Sequence, residues 1–518
     1  MVSDHPTPET RSAQREVVRQ AASIYREANR SSGAERVAAL QRELHVEYLR
    51  QILSRDKALP KSFACLNAGR PWICYWAMHG LFLLGAIDEL VEQNPDDSAA
   101  MAFFLESCQH RKLGGFGGGP GQLPHLATTY AAVSALVTLG TNEALAVIDR
   151  PKLMGFLLRM CRGPEQGGGM TMHEGGEVDV RGCYCALCVC HMLGMDGEQV
   201  VDACEMGEFV RRCQGHEGGI GGEPGNEGHG GYAFCAYGAL LLAEANGWLP
   251  GGKGMINRSM LVAWVTRMQG NVEGGMRGRT NKLVDGCYSM WQGGLCRLLV
   301  ADTAALEGNP EIDSIAGSWM EENATLDAAV FEWCRDSCNE KTRATALEAE
   351  LDDVMERFLV AEEHCLAIPR DPVARSMVET LGQDSVRLQN DLRELEEDLQ
   401  CAEDSNRCLA QLSPGDGPCV DQLVDASALQ MWILLACQMP GRGGLRDKPG
   451  THPDFYHSCY CLSGLAAMQA MQACPSALIG GEANRLQDAH PICNVGIHKI
   501  ERSIAFFKRE PMLTLGVI

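Results

Sequence analysis

The chain has 518 residues, and its 45 lysines and arginines stand against 67 aspartates and glutamates, for a formal net charge of -22. This acidic balance argues against a general affinity for nucleic acid or for an anionic membrane surface. The N-terminal residues lack an apolar signal segment, and no stretch approaches the roughly 18 apolar residues that a membrane span needs. We therefore expect a cytoplasmic protein without a transmembrane segment. Many of the 24 cysteines lie in apolar helical stretches, which predicts reduced thiols rather than disulfides.

The first 45 residues are polar and rich in arginine and glutamate, with helical patterning in places. We expect a divergent helical or flexible segment there, without chemistry of its own. Residues 70–76 then form an unusually aromatic stretch, in which Trp72 and Trp76 are four residues apart and would share one face of a helix. From the spacing alone, a stripe that packs in the core is the simpler interpretation.

Glycine-rich turns recur along the chain at intervals of roughly 50 residues, which indicates a helical repeat array. They begin at Gly114, Gly167, Gly218, Gly274 and Gly443, and each leads into an apolar stretch rich in small residues. Each unit therefore predicts an outer helix, a glycine-rich loop and an apolar inner helix. A helix that is apolar on all sides must be buried on all sides, which a closed ring of helix pairs achieves better than an open solenoid. We predict an all-α fold of this kind.

A long segment interrupts the repeat before its last unit. Met268 and Cys437 are 169 residues apart, against 55 for Cys213 and Met268, so about 110 residues are extra to the period. Leucines recur there at alternating spacings of four and three, and the prolines of residues 368–372 break the pattern. This predicts an acidic, antiparallel helical hairpin within residues 302–420. An expanded loop without a separate role is the simpler interpretation, and an arm that docks a partner is the alternative.

The densest chemistry lies in residues 279–288, which contain two cations, a carboxylate, a thiol and a phenol. Asp285 and Cys287 point to opposite sides of a helix, so they converge only if Gly286 lies in a loop or at a helix start. His457 falls at the equivalent junction of the last repeat and would meet them at one rim of the ring. As a bare pattern this occurs often by chance, so capping and packing roles remain the simpler interpretation.

The same rim would attract an anion, because the first N–H groups of a helix are unpaired and lie at the positive end of its dipole. Arg279 and Lys282 would add positive charge, and Tyr288 and His229 could donate hydrogen bonds to phosphate oxygens. From the residues alone, a solvated loop face is the simpler interpretation for the two cations.

Long motifs give the chain a close resemblance to the beta subunits of the protein prenyltransferase family, farnesyltransferase in particular. The motifs lie at residues 70–72, 114–121, 175–181, 229–232, 281–289 and 454–457. The resemblance covers residues 46–301 and 421–518, and it implies an alpha-alpha toroid that works as a heterodimer with a separate alpha subunit. It further implies transfer of farnesyl from farnesyl diphosphate to a cysteine in the C-terminal C-a-a-X sequence of proteins such as small GTPases.

The resemblance also implies a role for individual side chains. Zinc would be held by Asp285, Cys287 and His457, with the substrate thiolate at the open fourth position. The departing diphosphate would be bound by His229, Arg279, Lys282 and Tyr288. The resemblance also makes Asp447 a candidate ligand of a magnesium ion.

Substrate contacts are implied in the same way. The farnesyl chain would lie among Trp72, Arg181, Tyr184, Gly231, Tyr232, Cys235, Trp291 and Tyr460. The peptide would contact Trp72, Trp76 and Tyr456, and its terminal carboxylate would reach His125, Glu177 and Arg181 through water.

Three alternative functions can be compared with this prediction by features of the sequence. A geranylgeranyltransferase type I beta subunit has the same toroid and zinc ligands but needs a deeper cavity, and the bulk of Trp72 and Tyr460 favours farnesyl. A terpene cyclase needs an Asp-x-Asp-Asp motif, whose nearest match, residues 350–353, lies in the insertion. A non-catalytic repeat scaffold would tolerate loss of the metal ligands, yet all three are present.

Overall fold

The computed structural model describes residues 8–30, 38–52, 65–270, 273–304, 423–471 and 478–509, together with residues 351, 353–355, 357, 376, 378–390 and 393. Within these ranges the chain is helical, and extended pairing is limited to isolated bridges between loop residues. The cysteines of the described residues are free thiols.

The helices outside the insertion are named in chain order. They are α1 (Pro8–Arg30), α2 (Arg42–Arg50), α3 (Arg70–Leu83), α4 (Ile87–Gln93), α5 (Pro95–Cys108), α6 (Leu126–Leu139), α7 (Asn142–Ala146), α8 (Arg150–Met160), α9 (Val180–Met192), α10 (Glu198–Ala203), α11 (Met206–Cys213), α12 (Gly230–Ala245), α13 (Arg258–Thr266), α14 (Tyr288–Ala304), α15 (Ala426–Met431, continued as a π-helix over Trp432–Cys437), α16 (Phe455–Met471) and α17 (Ile497–Arg509).

Six of the described helices form a closed inner ring. Helices α3, α6, α9, α12, α14 and α16 pack against one another in that order, and α16 returns to contact α3. The inner helices are apolar around most of their circumference, and 13 residues of α6 are buried. The outer helices α5, α8, α11, α13 and α15 each precede an inner helix along the chain. The predicted all-α closed ring of helix pairs is confirmed.

The glycine-rich loops carry the chain from each outer helix to its inner partner and dock on the next outer helix. Gly114 has a φ of 89°, and a Cβ there would lie 2.0 Å from the carbonyl oxygen of Lys152 in α8. Gly218 has a φ of 95° and would meet the carbonyl oxygen of Met260 in α13 at 2.0 Å. Only glycine combines this backbone conformation with so close an approach, which explains why the loops are visible in the sequence.

The inner helices begin at one rim of the ring, and most of them begin with a polar cap. A backbone N–H in or just before the first turn of the following helix is accepted, at 2.8–3.1 Å, by each of the side chains of His125, Asp179, His229, Asp285 and Asp454. Such caps satisfy N–H groups that have no partner within the helix. The repeat therefore places one polar side chain per unit at the same rim.

The other end of the ring is closed by the loop before α17. The hydroxyls of three tyrosines on consecutive inner helices donate to three consecutive carbonyl groups of this loop. The bonds are Tyr75 to Asn494 at 2.8 Å, Tyr130 to Cys493 at 2.9 Å and Tyr184 to Ile492 at 2.7 Å. Helix α17 then packs against α6 and α9.

The N-terminal segment is part of the folded body over its described residues. Helix α1 packs against the π-helical end of α15, and the buried Tyr25 donates its hydroxyl to the carbonyl oxygen of Glu273 at 2.6 Å. The boundary that the sequence predicts at residue 45 falls inside α2. The division into a toroid of residues 46–301 and 421–518 with an insertion between them stays a prediction.

The described residues of the insertion are helical. Val354 packs with Leu381 and Leu388 in a small apolar cluster of its own, so two helical segments of the insertion contact each other. The rest of the predicted hairpin lies outside the described residues, and its antiparallel orientation stays a prediction.

Among the residues that the structure describes, no single helix has both the length and the apolar character to cross a bilayer. Helices α3 and α4 reach that length and apolar character only together, and the chain bends by 110° between them.

Candidate active site

Asp285, Cys287 and His457 converge at the rim where the inner helices begin. Their ligand atoms all lie within 4.8 Å of one another, and Nε2 of His457 is 3.3 Å from Oδ1 of Asp285. Asp285 and Cys287 precede the first residue of α14, so they are not on opposite faces of a helix. Gly286 lets this loop pack closely, since a Cβ there would lie 2.6 Å from Sγ of Cys461.

His457 is oriented by Asp454, which was not among the predicted site residues. Oδ1 of Asp454 accepts the backbone N–H of His457 at 2.8 Å, and its Oδ2 accepts the Nδ1–H of the ring at 2.6 Å. Nε2 is thereby left facing Asp285. Histidines that bind metals usually donate their other nitrogen to such a partner. This role could have been predicted from the sequence, because Asp454 is a typical helix-capping residue and lies three positions before His457.

The two carboxylates beside His457 favour positive charge at this position. Burial disfavours the charged form of His457, but hydrogen bonds to Asp285 and Asp454 outweigh it and raise its pKa to about 12. Burial pushes the pKa of Asp285 up, and the hydrogen bond from His457 brings it below its ordinary value. Burial raises the pKa of Cys287 to about 12. One oxygen, one nitrogen and one sulfur donor in mutual reach fit the ligand chemistry of zinc, and three protein ligands are typical of a site with an open position.

Next to this cluster lies a group of hydrogen-bond donors. Nδ1 of His229 accepts the N–H of Gly231 at 3.1 Å, so its proton is assigned to Nε2, which donates to the hydroxyl of Tyr288 at 2.9 Å. Burial and then the charge of Arg279 lower the pKa of His229. The Tyr288 ring packs over Gly278, where a Cβ would come within 2.0 Å of it.

The charged residues of this rim differ in their surroundings. Arg279 is half-exposed and lies 3.3 Å from a carboxylate oxygen of Glu227, and Lys282 is exposed. The backbone oxygen of Asp447 accepts the N–H of Gly286 at 2.6 Å, which places it beside the Asp285–Cys287 loop. Its carboxylate contacts the ammonium of Lys448 and the hydroxyl of Thr451. A magnesium role for Asp447 stays a prediction.

An uninterrupted belt of aromatic rings lines the interior of the ring. Each ring lies 4.6–5.9 Å from the next, centroid to centroid, and the last returns to the first. In order, the belt consists of Trp72, Tyr130, Tyr184, Phe234, Trp291, Tyr460, Tyr456 and Trp76. Tyr130 and Phe234 were not predicted, although each lies five residues after the cap of its helix, as Tyr184 does. The structure thus joins six predicted contact residues into one apolar surface.

The remaining predicted contacts lie along the rim of α6, α9 and α12. Nε2 of His125 is 3.9 Å from a carboxylate oxygen of Glu177, and Arg181 pairs with Asp179 at 2.5 Å. The guanidinium of Arg181 also lies over the ring of Tyr232, 5.4 Å from its centroid. Gly231 donates its N–H to the cap of α12, and Cys235 is buried one turn further along. Asp179, which orients Arg181, was not predicted.

The chain is similar to known proteins over most of its length. The prenyltransferase alpha-alpha toroid domain family matches residues 40–495. A protein farnesyltransferase subunit beta of Pisum sativum is 37% identical over 451 residues, which are 85% of this chain and 89% of that protein. The corresponding subunit of Arabidopsis thaliana is 34% identical over 476 residues, which are 90% of this chain and 83% of that protein.

A solved structure supports the fold. Protein geranylgeranyltransferase-I of Candida albicans, complexed with GGPP, matches with a TM-score of 0.51 and 18% identity, over 92% of this chain and all of that chain. At this identity the likeness concerns the fold alone. The ring, the converging rim residues and the relatives lead to one conclusion: the chain belongs to the protein farnesyltransferase beta subunits of the prenyltransferase alpha-alpha toroid family.

Proposed function

We propose that this chain is the catalytic beta subunit of a heterodimeric, zinc-dependent protein farnesyltransferase. It would transfer farnesyl from farnesyl diphosphate to the cysteine thiol of a C-terminal CaaX motif. The observation that carries the proposal is the convergence of Asp285, Cys287 and His457 beside a closed aromatic belt. A metal centre at this rim would activate a thiol next to the apolar rings that would accept the isoprenoid chain.

Asp285, Cys287 and His457 would hold the zinc ion. When bound, zinc would take the substrate thiol at its open position and lower the thiol pKa, so that a thiolate nucleophile forms near neutral pH. Asp454 keeps Nε2 of His457 directed at the centre through its bond to Nδ1. Burial of Cys287 limits water at the centre.

The hydrogen-bond donors of the adjacent rim would bind the departing diphosphate. Nε2–H of His229 donates to the hydroxyl oxygen of Tyr288 at 2.9 Å, which leaves the hydroxyl proton of Tyr288 to donate to an anion. Arg279 is close enough to influence the pKa of His229, and Lys282 is exposed on the same loop. Preorganised donors of this kind stabilise the negative charge that builds on a leaving group.

The belt would accommodate the isoprenoid chain, and the rings of Trp72 and Tyr460 would limit its length. Tyr460 is almost fully buried and lies 4.6 Å from Trp291. Trp72 contacts Trp76 and Tyr130. Both positions carry large rings, which favours farnesyl over geranylgeranyl. A type I geranylgeranyltransferase remains the second candidate, since it differs only in cavity depth.

Trp76 and Tyr456, 5.5 Å apart between ring centroids, would contact the peptide. His125, Glu177 and Arg181 would bind its terminal carboxylate through water. A separate alpha subunit would complete the heterodimer, and CaaX proteins such as small GTPases would be the acceptors. The cytoplasmic location expected from the sequence stays a prediction.

The test is prenyl transfer by this chain co-expressed with an alpha subunit. One CaaX peptide is offered with farnesyl or geranylgeranyl diphosphate, with and without a zinc chelator. We expect chelator-sensitive transfer of farnesyl. Preference for geranylgeranyl would keep the chemistry and overturn the cavity argument, and transfer of neither donor would favour a non-catalytic scaffold.

The matched variants are Cys287→Ala and Cys296→Ala. Both cysteines are buried, but Cys296 lies further along α14 and outside the converging rim. Cys287→Ala should abolish transfer while largely sparing farnesyl diphosphate binding, and Cys296→Ala should retain transfer. Unchanged turnover in Cys287→Ala would contradict the zinc assignment.

A further inference from the structure

A second group of potential metal ligands lies at the end of the ring opposite the candidate active site. His191, His490 and Cys493 place one ligand atom each within 4.8 Å of the others. His191 is in the last turn of α9, and the other two are in the loop before α17. In the part of the chain that the structure describes, the only other such group is Asp285, Cys287 and His457.

The hydrogen bonds assign an unprotonated nitrogen to each of the two imidazoles. Nδ1 of His191 donates to Oδ1 of Asn246 at 3.1 Å, which leaves a lone pair on Nε2. Nδ1 of His490 accepts the backbone N–H groups of Ile492 at 3.3 Å and Cys493 at 3.1 Å, so the proton of the neutral ring is assigned to Nε2, and a metal at Nδ1 would replace these two bonds. The two rings lie 5.2 Å apart between centroids. Neutral imidazoles are the form that binds metal ions.

The position suits a cation for two further reasons. The last turn of α9 carries the negative end of the helix dipole, which favours positive charge beside His191. Cys493 has no measurable exposure, so its thiol is shielded from solvent. Two imidazoles and a thiol, which loses its proton when a metal binds, are zinc ligands.

We propose that His191, His490 and Cys493 form a second zinc site, which fastens the loop of residues 490–494 to α9. This loop supplies the carbonyl groups that receive the hydroxyls of Tyr130 and Tyr184, two members of the aromatic belt. Zinc there would hold the closed end of the ring in place. The site shares no residue with the candidate active site and does not depend on the proposed function.

The experiment measures zinc per chain by elemental analysis, using the full chain co-expressed with an alpha subunit. The Cys287→Ala background removes the active-site zinc from the count. In that background we expect one zinc per chain, and one cobalt after exchange, with the near-ultraviolet band of a thiolate-bound cobalt. Adding Cys493→Ser should remove both, while adding Cys296→Ser, at an equally buried cysteine, should leave both.

A third variant guards against loss of folding in Cys493→Ser. His191→Ala changes a half-buried side chain at a helix end, and in the Cys287→Ala background it should weaken cobalt binding at least tenfold, with circular dichroism unchanged.

Three outcomes separate the two proposals. Absence of zinc and of the cobalt band in Cys287→Ala would overturn the second site and leave the active-site proposal intact. Equal zinc content after Cys493→Ser and after Cys296→Ser, each added to the Cys287→Ala chain, would also overturn the second site. The single variants Cys493→Ser and Cys287→Ala of the otherwise native chain are also compared. If zinc is lost in Cys493→Ser but not in Cys287→Ala, the result would support the second site and contradict the active-site zinc.

Discussion

Asp454 has two roles: it caps the start of α16, and it accepts the Nδ1–H of His457. Replacement of Asp454 by asparagine separates these roles. Asparagine and aspartate are comparable helix caps, but the substitution removes the carboxylate that holds Nδ1 of His457 at 2.6 Å. Partners of this kind contribute roughly tenfold to a hundredfold to metal affinity. Because the Asp454 side chain is 49% exposed, solvent screens the interaction. We therefore expect the lower end of the range, about tenfold weaker zinc binding, or about 1.4 kcal/mol.

Competition of the co-expressed heterodimer against a chelator of known zinc affinity measures this change. Turnover with a CaaX peptide at subsaturating zinc should fall in parallel. The matched control is Asp425→Asn, since Asp425 caps α15 through the N–H of Ala428 at 2.9 Å and is not among the converging ligands. Zinc affinity that is unchanged in Asp454→Asn, or reduced equally in both variants, would refute the orienting role of Asp454.

Three other predictions concern the leaving group, the cavity and the insertion. Tyr288→Phe removes the hydroxyl that His229 contacts at 2.9 Å. Because other donors remain, the rate of farnesyl transfer should fall about tenfold, with little change in farnesyl diphosphate affinity. An unaltered transfer rate in a single-turnover experiment would contradict this role. Trp72→Ala opens the aromatic belt, so the ratio of geranylgeranyl to farnesyl transfer should rise in a competition assay; a ratio equal to that of the native chain would remove the cavity argument. Deletion of residues 340–412 should leave stoichiometric zinc binding intact if the hairpin is peripheral, and elemental analysis that finds zinc lost would count against that.

The repeat architecture was predictable because its signals are local. Positions such as Gly114 and Gly218 combine a positive φ with an approach of 2.0 Å to a neighbouring carbonyl oxygen. No other residue satisfies both conditions, so every loop of this kind leaves a mark in the sequence. The apolar stretches between the loops then require burial on all sides, which the closed ring provides.

The candidate site was predictable only in part. Asp285, Cys287 and His457 were named from motifs that resemble a known family, while their spacing alone did not favour a metal site. The start of α14 at Tyr288 removes the geometric objection, since Asp285 and Cys287 lie before it. The magnesium role of Asp447 stays a prediction from the motif alone, and in the structure the carboxylate of Asp447 contacts Lys448 and Thr451.

The sequence by itself determined the helix pairs, the glycine-rich loops between them and the polar caps that gather at one rim. Only the tertiary structure decided which side chains of different repeats meet. It completed the aromatic belt with Tyr130 and Phe234, and it brought His191 to Cys493 across the closed end of the ring. The physical reason is that periodicity specifies which face of each helix is apolar. Contacts between repeats depend on the closure of the ring, which is a long-range property that no local pattern records.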